Sequence, residues 1–198
     1  MKKITSLIVL LALVLSLCAC GTAAGGEKEP EDPVWERFRS LGRVVNVNGT
    51  ELVSVDVSSQ IVGTDVTQDV LDTNVGESYA SAELNEDGSV TFQLTKEQLR
   101  AMLDSIVQKM DDELKALVEN PDYAFTEITY NEDLTVFDVH LSSEKVGYME
   151  GFMALGFYMY GGLYATYSGN EGAVITVNYY GPDGSLISSA NSSNTTEN

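Results

Sequence analysis

Apolar residues between Thr95 and Glu119 recur at three- and four-residue steps: Leu99, Met102, Leu103, Ile106, Val107, Met110, Leu114 and Leu117. That period places them on one face of an amphipathic helix. Thr95 and Gln98 have capping-box spacing. Asn120-Pro121 stops the helix, because proline disfavours a helical residue before it. At 1.5 Å per residue the helix is roughly 36 Å long. Leu103 and Ile106 sit within its apolar stripe and are expected to be core.

Elsewhere the period is two. Val44–Val47 and Leu52–Val57 flank Asn48-Gly49, a strong hairpin signal, with Val53, Val55 and Val57 on one face. Ala80, Ala82 and Leu84 alternate, Asn85-Glu86-Asp87-Gly88 turns, and Val90, Phe92 and Leu94 alternate back. After the long helix the motif returns loosely. Ile128 and Tyr130 precede a turn at Asn131-Glu132-Asp133, and Phe137, Val139 and Leu141 follow it. A second main helix is expected within 145–168. Ile175, Val177 and Tyr179 then lead through Gly181-Pro182-Asp183-Gly184 to a short strand at 185–189. Asp32-Pro33 reads as the start of a short helix with Val34, Trp35, Phe38 and Leu41 on one side and Gly42 as its stop. One short helical turn is expected in 64–74. These patterns predict an α+β fold: an antiparallel sheet of about six to eight strands built from hairpins, with two main helices on one face.

The first twenty residues follow a different grammar. Lys2 and Lys3 precede an apolar run from Ile4 to Leu17, which closes on Leu17-Cys18-Ala19-Cys20. This resembles the lipobox of bacterial lipoproteins, in which Cys20 takes the lipid and the small Ala19 precedes the cut. Choosing Cys18 instead would put bulky Leu17 at the cut. The expected organisation is a signal peptide at 1–19, then a lipidated Cys20 and flexible acidic tether through 32. A single domain follows over 33–190, with a frayed tail at 191–198. The tether has no periodicity, and its twelve residues from Gly21 span about 20 Å root-mean-square.

Charge narrows the partners. The formal net charge is −19, and loss of Lys2 and Lys3 with the leader makes it −21. So acidic a chain repels phosphate backbones, which argues against nucleic acid. A hydrophobic fraction of 43% argues against disorder of the whole chain. Both cysteines lie in the leader region, so no disulfide is expected in the folded part.

Two stretches, Asn85–Gln98 (NEDGSVTFQLTKEQ) and Phe157–Gly169 (FYMYGGLYATYSG), carry a resemblance. Together with the leader and much of the span between, they resemble a group of short lipoproteins of Gram-positive anaerobic bacteria. Some of that group carry an adhesin-like (antigen I/II N-terminal-like) domain label. The resemblance implies an extracytoplasmic location and this fold class. It implies no catalytic or binding residues.

Candidate chemistry is sparse. The one histidine, His140, shares a strand face with Val136 and Asp138 and is expected on the solvent side. Without a second His or Cys it makes no transition-metal set, and Asp138 with His140 is too local to be a catalytic dyad. Asp111-Asp112-Glu113 lies on a helix, where adjacent carboxylates diverge by about 100° and do not converge on one ion. The acidic turns lack calcium-loop spacing. No metal, cofactor or catalytic residue is therefore expected.

The aromatic stretch Phe152–Tyr167 is the remaining candidate. Phe157, Tyr160, Tyr164 and Tyr167 fall at helical spacing, and Gly156, Gly161 and Gly162 let a ligand or another backbone come close. Such a stripe is either an aromatic groove for a sugar or peptide, or a core helix whose glycines admit a neighbour. The spacing favours the core. Gly151 to Asn170 holds no charge, yet its five glycines and four tyrosines, and the absence of Lys or Arg after Lys145, argue against a membrane span. The expected function is a lipid-anchored binding module of the cell envelope, not an enzyme, with an envelope protein or glycan as partner. The alternative is an envelope hydrolase or accessory enzyme using carboxylates. A contiguous exposed apolar patch would favour the first, and convergent perturbed carboxylates the second.

Overall fold

The computed structural model describes residues 32–63 and 65–193. The leader, Cys20, nearly all of the tether and the tail beyond 193 lie outside them. The chain forms two compact units, the first ending at Met102 and the second beginning at Leu103.

In the first unit, Asp32 caps helix α1 (Pro33–Ser40) by accepting the N–H groups of Val34 and Trp35 at 3.0 and 3.2 Å. Gly42, at φ +70°, ends it, and the Arg43 N–H returns to the Phe38 carbonyl. Trp35 and Phe38 are buried. Leu41, expected beside them, is exposed, because it lies at the C-cap, past the last helical turn.

Strands β1 (Val44–Val47) and β2 (Thr50–Val57) join at Asn48-Gly49, where both residues have positive φ, as a type I′ turn demands. After the short helices α2 (Ser59–Val62) and α3 (Gln68–Asp72) come β3 (Ser81–Leu84) and β4 (Val90–Leu94). The sheet order is β1-β2-β4-β3, antiparallel throughout. Val53, Val55 and Val57 face Leu94, Phe92 and Val90 across the ladder, and all six are buried. The long helix α4 (Lys96–Glu119) opens with the reciprocal capping box: Gln98 N–H to Thr95 Oγ1 at 3.2 Å and Thr95 N–H to Gln98 Oε1 at 3.0 Å. Leu103 and Ile106 are buried, as its period predicts.

The second unit continues with β5 (Phe125–Tyr130), β6 (Val136–Leu141), α5 (Tyr148–Tyr167), β7 (Thr176–Tyr180) and β8 (Leu186–Asn191). Its sheet runs β5-β6-β7-β8. The fold class is α+β, as the sequence predicts, but the eight strands form two four-stranded sheets where one was expected. Moreover, β6 and β7 are parallel. Hairpin turns fix only neighbours in sequence. The crossover through α5 lays β7 beside β6 in the same direction, as such crossovers do. Strand β8 also extends to Asn191, two residues beyond its expected end, with Ala190 paired to Val177 and Asn191 to Thr176.

Met110 and Leu114 of α4, Ala154 and Phe157 of α5, and Phe137, Val139, Leu141, Val177 and Tyr179 of the sheet form one buried cluster. Both helices thus cover the same face of this sheet. Phe137 and Phe157 stack at 5.2 Å, a contact worth about 0.5–1.5 kcal/mol beyond its buried area.

Candidate functional site

The second unit holds a groove of about 340 Å³ between the C-terminal half of α4 and α5. Glu113, Leu117 and Asn120 line one wall, Gly156 and Tyr160 the other, and Tyr123 one end. Leu114 and Phe157 are its buried floor. Helical spacing explains most of the first wall, since 113 and 117 are successive positions on one face of α4, and Asn120 follows directly after the helix end.

The four aromatics of the stripe part company. Phe157 is core that also floors the groove, and Tyr160 lines it half-buried. Tyr164 packs half-buried against the core cluster, and Tyr167 is fully buried. The glycines divide too. A Cβ on Gly161 would lie 2.5 Å from the Leu134 carbonyl oxygen and 2.9 Å from Ile175, so this glycine admits the neighbouring β5–β6 turn. Added Cβ atoms on Gly156 and Gly162 would meet nothing within 4 Å.

Tyr160 and the Glu113 carboxylate both line the groove. Burial, then that carboxylate, hold the Tyr160 hydroxyl well above the ordinary tyrosine range. Tyr130 donates to Asp111 Oδ1 at 2.6 Å; burial first, then Asp111, push it up to about 12. Within the acidic run at 111–113, Asp111 thus pairs with β5 while Glu113 faces the groove. Among the described residues, no group of three or more His, Cys, Asp or Glu side chains comes together to hold a metal ion.

Glu150 escaped the sequence reading. It is buried in the first turn of α5, and its Oε1 accepts the Ala124 N–H at 2.9 Å. Its carboxylate folds back on Gly147, where a Cβ would collide with it. The Tyr179 hydroxyl donates to the Glu150 carbonyl at 2.9 Å. These bonds fix the start of α5 against the segment that carries Tyr123. A glutamate three residues after an N-cap glycine was the available signal, since it is a variant of the capping-box spacing.

His140 lies half-buried on the sheet face opposite the core, its ring stacked on Tyr180 at 5.0 Å. Asp138 beside it accepts Asn178 Nδ2 at 2.9 Å and the Tyr180 hydroxyl at 3.3 Å. The first unit has a more polar cleft of about 490 Å³, where Arg39 bridges Glu51 at 2.9 Å and the lining Asp32 is paired with Arg100 at 2.7 Å.

The outer face of α5 is the other feature of the second unit. Tyr148, Phe152, Leu155 and Met159, at steps of four, three and four, are 86, 54, 50 and 44% exposed. Among the described residues, no helix is long and apolar enough to cross a membrane. No protein-family model, curated protein or solved structure matches the chain.

Proposed function

We propose that the chain is a lipid-anchored binding protein on the extracytoplasmic face of the cell membrane, held by Cys20, and that its second unit does the binding. Its partner is another component of the envelope, a protein or a glycan. The observation that carries the binding reading is the apolar surface of α5. Its exposed row borders a groove whose wall includes Gly156, where an added Cβ would meet nothing within 4 Å. Isolated exposed apolar residues need no explanation, but four in one row beside a groove do. The groove wall contributes a single carboxylate, Glu113. That suits recognition better than acid–base chemistry, which works through convergent perturbed groups.

Anchoring rests on the leader grammar and is tested by fractionation. Cys20→Ala should release the protein from the membrane fraction or leave it as an uncleaved precursor. Acyl chains contribute about 0.8 kcal/mol per buried CH₂, so two chains hold firmly where one short chain would not. A Cys20→Ala protein that is processed and sediments with membranes as before refutes the anchor.

A further inference from the structure

The row Tyr148, Phe152, Leu155 and Met159 spans twelve residues of α5, about 16 Å from first to last. It lies within a stretch that carries no charge from Gly151 to Asn170. On one side it passes Gly156 into the groove floored by Phe157. Aromatic rings supply broad, stiff contact area, and Met149 and Met159, both exposed, add adaptable side chains of the kind found on surfaces that bind helices.

Charge selects the occupant. Between Leu103 and Asn198 there are 15 acidic and 3 basic side chains, a formal −12. A second copy would bring the same −12 to the contact, and a bilayer rich in anionic lipid would repel it too. A cationic partner is attracted by the same field. We propose that this face and groove dock an amphipathic polypeptide segment, apolar on one side and flanked by Lys or Arg. Apolar anchors at helical spacing lie along the α5 row, one of them enters the groove at Gly156, and the basic flanks meet the exposed carboxylates Glu113, on the groove wall, and Asp112 beside it on α4. This mode is helix-in-groove recognition. It rests on the binding reading above and narrows the partner to a polypeptide.

The test uses the full chain and two labelled peptides of the same helical pattern, one of Leu and Lys, the other of Leu and Glu, with binding followed by anisotropy. The Leu/Lys peptide should bind and the Leu/Glu peptide should not. Phe152→Gln with Leu155→Gln leaves the charge unchanged and should weaken binding about tenfold or more, roughly 1.4 kcal/mol. Glu113→Gln should weaken it less and flatten its salt dependence. If the double variant binds the Leu/Lys peptide as the parent does, the acidic surface alone is responsible and the docking site is wrong. Sedimentation and vesicle flotation run beside it, the latter with zwitterionic and with anionic vesicles. A dimer lost in the double variant would make a second copy the occupant, and vesicle binding lost in it would make a bilayer the occupant. Either result overturns the polypeptide while leaving the face a binding surface. Parent and double variant behaving alike in every arm would remove the binding reading itself.

Discussion

The two units solve the same problem, covering one face of a four-stranded sheet, and leave different surfaces behind. In the first, two ion pairs form within the unit: Asp32 with Arg100, Arg39 with Glu51. Burial pushes Asp32 up, but the Arg100 hydrogen bond and the N–H groups of Trp35 and Val34 outweigh it and hold the carboxyl below its usual range. In the second, α5 spends one side on the core and presents uncharged, apolar side chains on the other. A helix apolar on all sides is normally enclosed. Here its row from Tyr148 to Met159 stays open. The first unit exposes apolar residues too, Leu41, Val45, Val47, Val70 and Val75, but these are spread over several elements, whereas those of α5 fall in one helical row beside a groove.

The sharpest way to probe the second unit is the glycine pair on α5. Gly161→Ala drives a methyl into the Leu134 carbonyl and should cost about 1–3 kcal/mol, as overpacking does. Gly162→Ala, one residue on, enters open space and should stabilise the helix by up to about 1 kcal/mol. Denaturant midpoints moving in the same direction for both would mean that the β5–β6 turn does not pack on α5 as described. In the first unit, Asp32→Ala removes the α1 cap and the Arg100 partner, and should cost about 1–2 kcal/mol in the same assay. That loss should shrink in acid. A lowered folded value means the stability is present above the ordinary carboxylate range and fades as pH falls through the folded value. A cost that does not change with pH would detach the cap from the Asp32 charge.

Base should act through the second unit, where Tyr130, Tyr158, Tyr160 and Tyr179 are all raised, mainly by burial, against Tyr79 in the first. Above pH 10 the unfolded chain releases tyrosine protons that the folded chain keeps. The folded state then binds more protons, so stability falls as pH rises. For Tyr130 the fall spans pH 10 to about 12. Tyr130→Phe should make the decline between those values shallower. An unchanged slope would mean that Tyr130 titrates alike in both states.

Local chemistry was legible in the sequence. The Asn48-Gly49 turn, the Asp32 cap and the Thr95–Gln98 box each involve residues within four positions, and each forms as the pattern predicts. Sheet membership was not, because pairing between β2 and β4, or β6 and β7, joins segments that nothing local connects. The site was half legible. Spacing singled out Phe157 and Tyr160, but Glu113 read as one of an acidic run, and Tyr123 is placed by the Glu150–Ala124 bond. The open face of α5 was hidden for a different reason. Helical spacing points Phe157, Tyr160, Tyr164 and Tyr167 at the core, but with apolar residues all round the helix it gives no sign that Tyr148, Phe152, Leu155 and Met159 lie open.

The central claim is that the α5 row is surface, not core. Equilibrium denaturation of the Phe152→Gln, Leu155→Gln variant tests it most directly. Half-exposed positions away from the core should change stability by no more than about 0.5 kcal/mol each. A loss of about 2–5 kcal/mol, the range for emptying a packed core, would show that the row is enclosed in the native protein and contradict the account.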